Sequence, residues 1–147
     1  MELRPATPTD APKIAAMESS YFSDAWSERD ILGCISSELS MCYAAVSDGE
    51  LIGYLLGRKI VPEGEIYRVA VKLERRERGV GSRLLAYALK CETEYGTESL
   101  FLEVREQNTV ARRLYSSAGF EEISVRKNYY KNPDDNAIIM LYSVKCK

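Results

Sequence analysis

A chain of 147 residues with 46% hydrophobic and 29% charged side chains suits one folded domain over residues 1–147, and argues against wholesale disorder or two independent cores. Its 20 Lys+Arg against 22 Asp+Glu leave a formal charge of -2, which does not favour a nucleic-acid-binding surface. It contains no histidine, so the commonest general base, the usual zinc ligand and every Ser–His or Cys–His mechanism are excluded.

In chain order, Leu3 and Arg4 open a short extended segment punctuated by Pro5 and Pro8. Asp10-Ala11-Pro12 reads as a helix start, because proline is tolerated in the first turn, with Ile14, Met17 and Tyr21 on one face. Ser27 with Asp30 resembles a capping box ahead of a second helix carrying Ile31 and Ile35. Residues 41–47 alternate as a strand, Asp48-Gly49 marks a hairpin, and residues 51–60 form the return strand. Pro62-Glu63-Gly64 predicts a turn before a third strand over residues 65–71.

A charged, glycine-containing loop over residues 72–82 then runs into a helix with Leu84, Ala88, Cys91 and Tyr95 on one face, closed by Gly96. Residues 99–104 form a short apolar strand, residues 108–118 a helix ended by Gly119, and residues 121–126 and 137–144 the closing strands. Strand, glycine loop, helix and strand in succession imply a right-handed crossover. The expected architecture is therefore α/β: a mixed, mostly antiparallel central sheet with helices on both faces.

Cys34, Cys42, Cys91 and Cys146 match neither a metal knuckle nor a Cys-x-x-Cys motif, so reduced thiols in the cytoplasm are expected and a metal is not. Residues 1–5 carry no apolar segment of the kind a secretory signal needs. An apolar run such as residues 137–142 falls far short of the ~20 residues of a spanning helix, so no membrane association is expected.

The strongest chemical signal is Arg76-Glu77-Arg78-Gly79-Val80-Gly81, directly after a strand and directly before a helix. Glycines there let backbone N–H groups face an anion where the helix dipole also favours negative charge. From Lys72 to Arg83, five basic residues against two acidic ones give a net +3 within an acidic chain, which suits a polyphosphate ligand. The pattern is neither a Walker loop nor a full dinucleotide fingerprint.

Further along, alternation in Leu100-Phe101-Leu102-Glu103-Val104 places three apolar side chains on one face and Phe101 with Glu103 on the other. A carboxylate ending so apolar a strand is costly unless it is solvated, paired with a neighbouring arginine or engaged in chemistry. Asn108 stands where a helix N-cap belongs. Tyr115 follows it by seven residues, about two helical turns, so both point the same way.

Arg-x-x-Gly-x-Gly after Val69-Ala70-Val71 resembles the coenzyme-A-binding signature of the Gcn5-related N-acetyltransferase (GNAT) superfamily. Residues 102–105 with Asn108, then Ala111, Leu114-Tyr115 and Gly119-Phe120, are similar to the second half of that family's core. Residues 25–28, 126–130 and 135–140 resemble more narrowly its bacterial branch acting on a ribosomal protein's N-terminal alanine. The chain departs from that branch at Ala25 and Lys131, where proline is common, both on the implied peptide side.

The resemblance implies a GNAT fold and acetyl-CoA as co-substrate. Val69, Ala70 and Val71 would line the acetyl group and polarise its carbonyl; Arg76, Glu77, Arg78, Gly79, Val80, Gly81 and Ser82 would hold the pyrophosphate; and Asn108 would hold the pantetheine arm. Trp26, Tyr129 and Tyr130 would flank the peptide, with Glu103 as general base and Tyr115 as general acid toward the leaving thiolate. The acceptor it implies is the α-amine of an N-terminal alanine, by resemblance that of protein eighteen of the small ribosomal subunit, attacked directly in a ternary complex. Acetylation of a lysine or polyamine, and a non-catalytic acyl-CoA-binding module, stand as alternatives. The partners expected are a ribosomal-protein N-terminal peptide and coenzyme A, with no direct nucleic-acid contact, and the chain is expected as a monomer or weak dimer.

Overall fold

The computed structural model describes residues 1–76 and 78–144. Seven strands run β1 (Glu2–Pro5), β2 (Tyr43–Ser47), β3 (Glu50–Ile60), β4 (Glu63–Val71), β5 (Ser99–Arg105), β6 (Glu121–Tyr130) and β7 (Asp135–Ser143). Four helices accompany them: α1 (Ala11–Tyr21), α2 (Glu28–Ser36), α3 (Val80–Tyr95) and α4 (Thr109–Ser117). The strands form one sheet in the order β1-β2-β3-β4-β5-β7-β6. Every pairing is antiparallel except β4 with β5, so the mixed sheet expected from the crossover is present.

Alternation decides the two faces. Leu55, Ile66, Leu100, Leu102 and Met140 point to a core shared with Leu84 and Leu85 of α3 and Tyr115 of α4. Ala44, Tyr54, Leu56 and Ala70 point to the opposite core, built with Ile14 and Met17 of α1 and Ile31 and Ile35 of α2. Helix ends follow local chemistry. Ser27 Oγ accepts from the Asp30 N–H at 3.1 Å, and Gly79 (φ 80°) and Gly96 (φ 115°) supply the left-handed conformations that open and close α3.

Three expectations change. Pro62-Glu63-Gly64 is not a turn as a unit, since β4 begins at Glu63. Gly64 lies instead against the core, where a Cβ would come within 2.9 Å of Leu100 Cδ2. Tyr95, grouped by periodicity with the buried face of α3, is exposed and carries Lys59 Nζ 3.5 Å above its ring. That cation belongs to a buried cluster in which the Glu92 carboxylate accepts from Lys59 Nζ (2.9 Å), Thr97 Oγ1 (3.0 Å) and the Tyr43 hydroxyl, so a carboxylate on an apolar helix face is satisfied. Finally, β6 runs four residues beyond Arg126, to Tyr130.

The feature that positions the site is where β4 and β5 part. They share four pairs, from Glu63↔Ser99 to Ile66↔Leu102. Beyond Ile66, β4 stays with β3 alone while β5 stays with β7, so the sheet splays open. Cys34 and Cys42 approach to 3.5 Å between sulfurs as free thiols; Cys146 lies outside the described residues. Among the described residues, no helix is long and apolar enough to cross a membrane.

Candidate active site

The splay exposes one edge of β4. The Lys72 N–H donates to Ile52 O at 2.8 Å, which sets the phase of the antiparallel ladder: Ala70 and Arg68 turn their peptide groups toward β3, and Val69 and Val71 turn theirs into the gap. The Val71 carbonyl there accepts from Arg76 Nε at 2.9 Å, and the Arg76 guanidinium also rests over the Tyr21 ring. Val69 and Val71 pack toward α3, while Ala70 is buried on the α1/α2 side.

Helix α3 begins immediately behind this edge. Its ladder opens with the Arg83 N–H donating to Gly79 O at 3.0 Å, so the N–H groups of Val80, Gly81 and Ser82 precede the first intrahelical bond and are available to an anion. Arg78 and Gly79 are exposed and Val80 is buried beneath them. Glu77, named with this loop, lies outside the described residues. A Cβ on Gly81 would sit 3.5 Å from Leu114 Cδ2 and 3.7 Å from Val71 Cγ2, so this glycine lies where β4, α3 and α4 converge. Replacing Gly79 and Gly81 together with valine forces a branched side chain into a positive-φ position and pushes on Leu114. The expected result is at least about tenfold weaker coenzyme A binding by calorimetry, equivalent to about 1.4 kcal/mol; unchanged affinity would rule the loop out as the phosphate site.

Asn108 caps α4, its Oδ1 accepting from the Ala111 N–H at 3.1 Å. Tyr115 is 7% exposed, packs on Phe120 at 5.8 Å between ring centroids, and has no hydroxyl partner among the described residues. Burial, with the neighbouring Tyr130 adding to it, pushes its pKa well above the usual tyrosine value. Burial and the Glu103 charge push Tyr130 up to about 12. Tyr130 thus responds to the Glu103 charge and contributes to the shift of Tyr115.

Glu103 alternates as expected, opposite the buried Leu102 and Val104. It is paired rather than isolated: Oε2 accepts from Arg126 Nη1 at 2.6 Å, with the carboxylate side chain 23% exposed. With Glu65, Tyr67, Phe101, Arg58 and Ile139 it lines a cavity of about 540 Å³. Burial and the Glu103 charge raise the pKa of Glu65, as two carboxylates sharing a site do. A second cavity, about 480 Å³ between α1 and the β2–β3 hairpin, holds none of the expected site residues.

Tyr129 and Tyr130 meet edge to face at 5.1 Å on the β6–β7 hairpin. Arg105 holds that hairpin, donating to Pro133 O (2.7 Å) and Lys131 O (3.0 Å) and lying over the Tyr130 ring. Trp26 stacks near Tyr67, a lining residue of the cavity, with ring centroids 5.6 Å apart. Tyr67 is one residue the sequence does not single out. Leu56 pairs with Arg68 and Gly57 with Ile66, so Tyr67 is an extra bulged residue. Consecutive side chains, Tyr67 and Arg68, then both meet the α1–α2 region, which regular alternation forbids. Glu18 is another. A charged residue beside Ile14 and Met17 on an apolar helix face was its only signal.

Residues 6–120 match the family described as the acetyltransferase (GNAT) family. The chain is 29% identical over 134 residues to a [ribosomal protein bS18]-alanine N-acetyltransferase of Escherichia coli (strain K12), covering 90% of each. It is 36% identical over 93 residues to the Haemophilus ducreyi protein of the same description, covering 61% of this chain and 64% of that one. The crystal structure of the ribosomal-protein-S18-alanine N-acetyltransferase from Escherichia coli superposes with a TM-score of 0.90 at 26% identity, over 97% of this chain and 93% of that one.

Proposed function

The chain belongs to the acetyltransferase (GNAT) family, and on that premise we propose that it transfers an acetyl group from acetyl-CoA to the α-amine of a protein N-terminus, preferring alanine and acting on ribosomal protein bS18 in the cytoplasm. The observation that supports the reading is the splay itself: an edge of β4 left unpaired by β5 lies beside the open N-terminus of α3, and Glu103 and Tyr115 would act at that gap. Residues 1–147 act as one domain, as a monomer or weak dimer.

The residues present fit acetyl-CoA. The N–H groups of Val80, Gly81 and Ser82 would receive the pyrophosphate, with Arg76 and Arg78 beside them. Asn108 would meet the pantetheine arm with whatever hydrogen-bonding capacity its capping role leaves. The thioester carbonyl would lie along the Val69–Val71 edge, whose N–H groups receive the charge that builds on oxygen.

The acceptor amine enters from the cavity side, between Trp26 and Tyr67 on one flank and Tyr129 and Tyr130 on the other. An α-ammonium has a pKa near 8, so Glu103 needs only to take one proton, directly or through water, to free the lone pair. The amine attacks the carbonyl carbon, the C–S bond breaks as the tetrahedral oxyanion collapses, and the Tyr115 hydroxyl gives its proton to the departing thiolate. The nitrogen loses its second proton as the amide forms, and that proton returns through water to the Tyr115 phenolate, while Glu103 releases the first to solvent. Two substrates held together supply the effective concentration, and with no histidine in the chain no covalent acyl-enzyme is invoked.

Mass spectrometry of short peptides incubated with acetyl-CoA tests the reading. A peptide beginning with alanine should gain one acetyl group on that alanine even when it contains lysines, and blocking its N-terminus should abolish turnover. Label on lysine, with a blocked N-terminus making no difference, would establish the lysine or polyamine reading instead.

A further inference from the structure

Residues 22–27, between α1 and α2, form neither helix nor strand, yet three of the six are tied to one ion pair, Arg68 with the buried Glu18. Glu18, with no exposed side-chain surface, accepts from the Tyr54 hydroxyl (2.6 Å), from the Trp26 backbone N–H (3.0 Å) and from Arg68 Nε (3.2 Å). The same guanidinium reaches outward: Nη2 donates to both the backbone oxygen and Oδ1 of Asp24, each at 2.9 Å, and the guanidinium carbon stands 4.0 Å from the centre of the Phe22 ring. Arg68 thus touches α1 at Glu18 and the segment at Phe22 and Asp24, while Glu18 holds the segment at Trp26.

We propose that Arg68 is a positioning residue for acceptor recognition: its planar fork locks residues 22–27 onto the bulge of β4, so that Trp26 is held against Tyr67 at the wall of the cavity that contains Glu103. The proposal rests on the acceptor reading given under Proposed function. An unstructured segment of six residues loses backbone entropy when it is ordered on a ligand; one already fixed by a buried ion pair, a stacked ring and a bifurcated donor presents its aromatic wall preformed. The neighbouring bulge makes this possible, because it lets Tyr67 face Trp26 while the next side chain, Arg68, reaches the underside of the same segment.

Arg68→Lys separates the two halves of the clamp. A lysine keeps a cation for the buried Glu18, so the fold is retained, but a single ammonium cannot also bridge Asp24 and lie flat on Phe22. Asp24→Asn keeps an acceptor oxygen for Nη2 and is the matched control. Because Trp26 is the only tryptophan, its quenching by acrylamide reads the segment directly and needs no acceptor. Arg68→Lys should raise quenching about twofold and raise the KM for an alanine-initiated peptide about tenfold, with kcat and the KM for acetyl-CoA within about twofold, the pattern of lost uniform binding; Asp24→Asn should match the parent in all four. Unchanged quenching in Arg68→Lys overturns the clamp. Raised quenching with an unchanged peptide KM, or equal losses for both substrates, overturns its role in acceptor recognition. A parent that acetylates no N-terminal amine overturns the acceptor reading instead, and the quenching comparison then still decides whether Arg68 holds the segment.

Discussion

Tyr115→Phe is expected to lower kcat by about 10²–10⁴-fold, the range a positioned acid contributes, while leaving the affinity for acetyl-CoA nearly intact. The substitution keeps the ring that packs on Phe120 and removes only an oxygen that has no partner among the described residues, so little stability is lost. The upward pKa shift makes the phenol a weaker acid toward a thiolate, so the assignment rests on position; the shift bears only on protonation state. A group raised above the usual tyrosine value remains protonated across the physiological range, and it must be protonated to donate to a thiolate. Raising the pH to 9 should therefore not reduce the parent's kcat through loss of the acid. A Phe variant turning over within about twofold of the parent, far below acid–base magnitudes, would leave the site working by positioning alone.

Glu103→Gln is expected to give the second large loss, again on the order of 10²-fold or more below the pKa of the acceptor amine. Near pH 9 the amine, with a pKa near 8, is largely free without assistance, so alkaline medium should restore much of the rate. The partner Arg126 is exposed, and exposed ion pairs add little to stability; glutamine also still accepts from its guanidinium. A lost rate can thus be assigned to the missing proton acceptor. A pH–rate profile that keeps the parent's shape at lower height would remove the base role from Glu103.

The parts of this site legible in the sequence were those written in local chemistry. Gly79 and Gly81 marked the opening of a helix, alternation put Glu103 opposite Leu102 and Val104, and Asn108 fell at a cap, each within a few residues of its own signal. What stayed hidden depended on register between distant strands. Nothing local in residues 63–71 says that pairing with β5 stops at Ile66, nor that Tyr67 is extruded from the ladder. Gly64 read as a turn residue because glycine in a turn and glycine under a packed leucine look alike in sequence. The Arg126 partner of Glu103 and the Arg68 partner of Glu18 stand 23 and 50 residues away, beyond the reach of any periodicity.

The single parallel seam also has a bearing on how the chain reaches its native state. Strands β2, β3 and β4 close through short hairpins, and β6 meets β7 the same way, so both flanks of the sheet can form from neighbouring contacts at small loop-closure cost. The seam between β4 and β5 is different, since its four pairs span the whole of α3. It gains only a short ladder for a long closure, and it belongs among the late and most easily reversed steps. Catalytic competence is then more fragile than secondary structure: a chain that had merely unzipped these four pairs would keep its helices and hairpins and have no place to put a thioester.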